Sequence, residues 1–256
     1  MVFSIINNLG VMNTDNFSIL GLTLDYGPYQ FLDQYDPAYV CNTSDYTGRY
    51  SFEKQPDIGF WNCMRLAIAL SPLIKEETTP EIQKHLVNAL KKYQEYYDCY
   101  YKEEMLEKLG IYKHMDSDMD DIVYPLLKVM KDLKLDYTLF FRYICSFSDE
   151  EFGESFKDKI ANISLTEWIA KFKKRLEKED ISAKVRTQRT LSKNPLIIPR
   201  NHLLLNVIKE ANLGNNEPLI EYWTALQEPY SSKWVNSAWA QEPSPQQSGL
   251  KCSCSS

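Results

Sequence analysis

Gly10-Val-Met-Asn-Thr-Asp-Asn16, followed by Ser18-Ile-Leu-Gly-Leu-Thr-Leu-Asp25-Tyr-Gly-Pro28, is the stretch on which the reading of this chain turns. Asp15 and Asn16 end a turn-rich segment, Ser18 to Leu24 alternates like a short strand, and Asp25-Tyr-Gly-Pro28 stops that strand with turn chemistry. A strand of about seven residues spans about 23 Å, so Asp15 and Asn16 meet Asp25 only if a hairpin folds the two ends together. In that arrangement two carboxylates and an amide oxygen face one cavity, a hard-oxygen set suited to Mg²⁺ or Mn²⁺ carrying a triphosphate. In protein kinases one Asp orients the attacking hydroxyl, while an Asn and the Asp of a D-F-G turn hold the metal. Asp25-Tyr26-Gly27 is such a tripeptide with Tyr in place of Phe. The same residue types also serve as Asx-turn caps, and spacing alone does not choose between the two roles.

Outward from this segment, Asp33 to Ser51 is dense in Tyr, Asp, Asn and Gly without helical period, which predicts an ordered loop. From Ile58 the pattern becomes helical: Trp61, Arg65, Ile68 and Ala69 share one helix that Pro72 ends. Pro80 opens a second helix running to about Leu109, with Leu86, Leu90, Tyr93, Tyr97 and Tyr101 on its core face and Gly110 as the C′ stop. Further helices are expected near 118–132, 136–146, 150–156, 164–180, 199–213 and 216–227. A Ser-, Pro- and Gln-rich tail is expected after Tyr230. The predicted class is mostly α with a small β-containing segment. Its parts are a catalytic-loop and activation-like segment over 1–56, a helical body over 57–230 and a flexible tail over 231–256.

The 256 residues carry a net charge of −6, which offers no basic stripe for nucleic acid. The run Lys171 to Arg175 is followed by Glu177, Glu179 and Asp180, the pattern of a solvated helix face. No apolar run reaches the roughly 18 residues of a membrane span. The first residues lack the basic and apolar regions of a signal peptide and the Arg-rich character of a mitochondrial presequence. Cys63, Cys99 and Cys145 read as buried thiols, and no Cys/His spacing of the zinc kind occurs. Asp116 to Asp121 resembles the opening of a calcium loop, but it lacks the Gly and Glu at the required positions and reads as an acidic helix start. His202 reads as a structural hydrogen-bonder, and Arg200 as the partner of a carboxylate.

The run GVMNTDN…SILGLTLDYGP resembles the catalytic and activation segments of the selenoprotein O family. The resemblance continues through Phe31-Leu-Asp33, Tyr35-Asp-Pro37, Cys41-Asn42, Ser44-Asp45 and Gly48-Arg-Tyr-Ser-Phe52. Gln55-Pro56, Trp61-Asn62, Arg65-Leu-Ala67, Asp136-Tyr-Thr138, Phe141-Arg142, Asn194-Pro195 and Pro199-Arg-Asn-His202 match family blocks as well. The resemblance implies a protein-kinase-like C-lobe followed by a helical C-terminal region. It implies transfer of AMP, rather than the γ-phosphate, from ATP to Ser, Thr or Tyr hydroxyls of target proteins, redox proteins among them. By position, Asp15 resembles the proton acceptor that orients the hydroxyl. Asn16 and Asp25 resemble the ligands of Mg²⁺ (or Mn²⁺), with Asp25 also against the nucleotide. Cys254 resembles the family's C-terminal redox residue. A disulfide from Cys41 to Cys254 or Cys252, latching the active-site loop, is implied in the same way, the alternative being a free thiol in a mobile tail.

The sequence departs from the family pattern in two places. Leu9 stands where family members carry His, and no Gly-rich loop, phosphate-gripping Lys or partner Glu of an N-lobe is present. The expectation is therefore an adenylyltransferase chain inactive by itself, in the manner of a pseudokinase. The alternatives are a non-catalytic regulatory fragment of the same family, or an ordinary γ-phosphate kinase. Mitochondrial location is implied for a full-length eukaryotic member, and cytoplasmic location otherwise. Nucleic acid and membrane are not expected as partners.

Overall fold

In the computed structural model the described residues are 7–8, 10–18, 20, 30–73, 79–145, 162–244 and 246–249. Most of the expected strand over 18–24, the helix over 150–156, Asp25, Cys252 and Cys254 lie outside them. Among the described residues, strand is limited to the two-residue ladder of Asn7–Asn8 and Gln30–Phe31, the isolated bridge Gln34–Asp136 and the single bridge residues Phe17 and Asn42. The rest of them is helix and loop, as the apolar periodicity predicts, and among the described residues no helix is long and apolar enough to cross a membrane. The described residues fall into two compact units. One contains 30–36 and 103–249, the other 10–18, 20 and 37–102.

In the second unit, α1 (Gln55–Leu70) starts with Pro56, whose missing N–H is harmless in a first turn. It ends in a 3-10 turn, Ser71–Leu73, at the predicted proline. Helix α2 (Thr79–Lys108) matches its expected bounds and continues into the other unit after residue 102. Its stripe Leu86, Leu90, Tyr93, Tyr97 and Tyr101 is half-buried while the residues between are exposed. Tyr93, Tyr97 and Tyr101 stack in series at 6.4 and 5.9 Å. The stripe is thus the one expected, but it is only partly covered. Cys99 lies on the open side of α2 and is exposed, against the expectation of a buried thiol.

In the first unit, a π-helical turn (Met119–Val123) leads into α3 (Tyr124–Asp132), followed by α4 (Tyr137–Ile144) and α5 (Ile163–Leu176). Asp136 caps α4 by accepting from Leu139 N at 2.9 Å, and Asn162 caps α5. All of α4 except Tyr143 is buried, as befits a central helix. Trp168 of α5 stacks on Phe172 at 4.9 Å and donates its indole N–H to Ile122 O at 2.8 Å. Arg142 donates to the carbonyls of Leu191, Asn194 and Tyr230 and to Ser232 Oγ, tying two chain segments to α4.

Helix α6 (Ala183–Lys193) is absent from the sequence expectation, because it buries only Thr190 and so lacks an apolar stripe. Its one local signal is the Ser182 cap, whose hydroxyl accepts from Val185 N. Helices α7 (Asn201–Asn212) and α8 (Glu217–Gln227) follow. Part of the stretch expected as a loose tail after Tyr230 is packed. Trp239 and Ala240 are buried in the cluster of Leu196, Ile197, Leu203, Val207 and Tyr222, and Trp239 stacks on Tyr222 at 4.8 Å.

Arg175 is buried rather than part of a solvated face. It pairs with Asp118 and with Glu179 at 2.8 Å. Asp118 sits at the N-cap of the π-helical turn whose first turn carries Asp120 and Asp121, so the expected acidic helix start is present and Asp118 also serves this ion pair. Arg200 pairs with carboxylates as expected, at 2.7 Å to Asp136 and 3.1 Å to Asp33. His202 departs from expectation at Nδ1, which is buried without a hydrogen-bond partner.

Lys108 ends α2 with 2% exposure, and its ammonium lies 4.8 Å from the Phe141 ring centroid and 5.5 Å from that of Tyr137. Burial lowers its pKa from 10.5 to about 7, outweighing the opposing pull of Cys145 and Glu104. A folded pKa below the unfolded one gives stability that is present above 10.5 and lost as pH falls towards 7. Lys108→Met keeps the length and removes the charge, so it is expected to stabilise this unit at pH 7 by about 1–3 kcal/mol. Urea midpoints at pH 7 and near pH 10 check this, and a variant that retained the wild-type pH dependence would refute it.

Candidate active site

Residues 10–18 form a loop anchored at several points within the second unit. Gly10 takes a left-handed φ of +69, open to glycine at little cost, and is buried. Thr14–Asn16 is a single 3-10 turn, closed by Asn16 N to Asn13 O at 3.0 Å and Phe17 N to Thr14 O at 3.3 Å. Asn62 of α1, 6% exposed, donates its side-chain amide to Met12 O at 3.0 Å. The hydroxyl of Tyr50 donates to Asn13 Oδ1. The Asn16 amide nitrogen donates to Val11 O at 2.9 Å, which orients the group and leaves Oδ1 as its remaining acceptor. The Asp15 side of the turn is exposed. The loop is therefore held by one buried and two more open hydrogen bonds and presents a carboxylate to solvent.

Beside it lies a cleft of about 460 Å³, lined by Thr14, Phe17 and Ser18 of the loop and by Asn62, Cys63, Arg65, Leu66 and Ala69 of α1. Asn62 Oδ1 is buried without a hydrogen-bond partner. Burial raises the pKa of the Cys63 thiol. On the adjoining segment, the Asp45 carboxylate accepts from Arg49 N at 2.9 Å, Tyr50 N at 2.8 Å and Thr47 Oγ1 at 3.2 Å. Burial pushes this carboxyl up, but those bonds overcome it and hold Asp45 below its ordinary value. This turn places Tyr50 to reach Asn13.

The described structure thus brings Asp15 and Asn16 together on one turn. Asp25, the third member of the expected set, lies outside the described residues. Asp15 and Asn16 are hard oxygen donors and fit the chemistry of Mg²⁺ or Mn²⁺. Among the described residues there is no group of three or more His, Cys, Asp or Glu side chains that could hold a metal. Cys41 is 1% exposed, and its expected partners Cys252 and Cys254 lie outside the described residues. The sequence reading gave no role to Asn62 or Tyr50. Each acts across 37 residues or more, and no local pattern marks such a contact.

The family model described as protein adenylyltransferase SelO matches residues 7–227, which include the whole loop. The chain belongs to the SelO family. Its relatives include proteins named protein nucleotidyltransferase YdiU. That of Hydrogenovibrio crunogenus is 35% identical over 249 residues, covering 97% of this chain and 50% of that protein. That of Klebsiella pneumoniae is 38% identical over 248 residues, covering 96% and 50%. That of Chromohalobacter salexigens is 35% identical over 246 residues, covering 96% and 48%. This SelO chain thus spans about half the length of the curated relatives it matches.

Proposed function

We propose that this chain carries the acceptor side of a protein adenylyltransferase, on a kinase-like C-lobe, and that AMP passes from ATP to Ser, Thr or Tyr hydroxyls of a target protein. The observation that supports this reading is the anchored loop 10–18 within the family-matched region: Met12 is buried and bonded by Asn62, while Asp15 is exposed on a hydrogen-bonded turn. Asp15 orients the acceptor hydroxyl and takes its proton as the oxygen attacks the α-phosphorus, with pyrophosphate leaving. Asn16, with its amide nitrogen held by Val11, offers Oδ1 to a divalent ion. That ion, when bound, neutralises charge on the triphosphate oxygens. Transfer depends on positioning both the triphosphate and the acceptor.

The test joins this chain to the remaining half of the Klebsiella relative and supplies ATP labelled at the α- or the γ-phosphorus. Protein labelled from α-labelled ATP only, with loss of label in Asp15→Asn, supports the reading. Label carried from the γ-phosphorus would replace adenylyl transfer with ordinary phosphorylation.

A further inference from the structure

Trp61 of α1 carries two guanidinium groups. Arg49 and Arg65 each stand 4.7 Å from its ring centroid, and Arg49 is also 5.6 Å from the ring of Tyr50. The two cations are therefore no farther apart than twice that distance. Both arginines are exposed, and neither guanidinium forms an ion pair among the described residues. Stacking occupies the faces of a guanidinium and leaves its in-plane N–H donors free for a carboxylate fork. Two like charges gathered on one indole, in a chain of net charge −6, form a local positive site against the general trend. The placement is built rather than incidental. Asp45 fixes the backbone that carries Arg49 through bonds to the N–H groups of Arg49 and Tyr50, and Arg65 projects from α1. Arg65 also lines the cleft beside Thr14, Phe17 and Ser18, the neighbours of Asp15.

We infer that Arg49 and Arg65, stacked on Trp61, bind acidic side chains of the protein substrate and so favour hydroxyls flanked by Asp or Glu. This rests on the reading of residues 10–18 as the acceptor side of a protein-modifying site. Arg65 lines the cleft beside the neighbours of Asp15 and Arg49 shares the same indole, and each can hold one carboxylate of an acceptor chain by paired charge-assisted bonds.

The experiment measures binding without nucleotide or turnover. The ¹⁵N-labelled chain is titrated with a short peptide of one Tyr among Asp and Glu, with its Asn/Gln counterpart, and with ATP, while the side-chain N–H signals of Arg49, Arg65 and Trp61 are followed. The expected result is that the acidic peptide moves all three signals, that added salt weakens it, and that the neutral peptide moves none. Arg49→Gln and Arg65→Gln should each weaken binding about tenfold, whereas the double Lys variant, keeping charge without the fork, should bind at intermediate strength. Equal binding of the two peptides, unchanged binding in the double Gln variant, or a response to ATP alone would overturn the inference. Charge-dependent peptide binding without adenylyl transfer by the joined protein would instead sink the proposed function and leave this site standing.

Discussion

Arg200→Ala is expected to remove about 3–5 kcal/mol from the stability of the first unit, because it leaves two buried carboxylates without their shared cation. Arg200 is 1% exposed and its Nη1 reaches Asp136 and Asp33 at 2.7 and 3.1 Å. Its backbone N–H donates to Tyr222 Oη at 3.0 Å, and that hydroxyl donates to Ile198 O at 2.8 Å. Asp136 also caps α4, so the residue left unpaired holds the central helix. The loss should depend on pH in a defined direction. Burial raises the Asp33 pKa above 3.8, Arg200 opposes the rise and Asp136 adds to it. A raised folded pKa gives stability that is present below 3.8 and lost as pH rises through the folded value. Without Arg200 that value climbs further, so the deficit of the variant against wild type should shrink on acidification from pH 7 towards pH 4. Denaturant midpoints of both proteins at several pH values measure it. A deficit that grew on acidification would show that the carboxylates are not the origin.

Gly110→Ala should cost about 2–5 kcal/mol in the same unit, from two separable sources. Gly110 ends α2 at a φ of +72, and the turn it makes lets Ile111 N donate to Leu106 O at 2.9 Å. A side chain there is strained by about 1–2 kcal/mol on backbone grounds. An added Cβ would also lie 2.7 Å from Arg186 Cγ and 2.8 Å from Thr190 Cγ2. Thr190 is buried and its hydroxyl is bonded to Arg186 O at 2.9 Å, so it cannot swing aside freely. Overpacking of this kind adds about 1–3 kcal/mol. Adding Thr190→Ser removes the Cγ2 contact and should recover part of the packing loss while leaving the backbone strain. If the double variant were no more stable than Gly110→Ala, the clash with Thr190 would not contribute.

Much of the helical skeleton was legible because its causes are local. Pro56, Pro72 and Pro80, the Gly110 stop and apolar repeats of three and four residues place α1, α2, α7 and α8 within a few positions of where they lie. Helix α6 escaped because its sequence carries almost no apolar stripe, and packing through Thr190 alone marks its inner face. Trp239 escaped because a Ser- and Pro-rich neighbourhood reads as loose chain, whereas its ring finds Tyr222 only after α8 is in place.

For the candidate site, the sequence by itself determined the family and the candidate pair Asp15 and Asn16, since a long continuous motif can be read without knowing what it touches. Only the tertiary structure decided what holds that pair, the Asn62 amide on Met12 and the Tyr50 hydroxyl on Asn13, and what stands near it, the two arginines on Trp61. It likewise chose Asp33 and Asp136 among the 35 acidic residues as the partners of Arg200. The physical reason is common to all of these. A hydrogen bond or ion pair is fixed by distances of about 3 Å, and residues far apart in sequence reach that distance only through the packing of the whole unit.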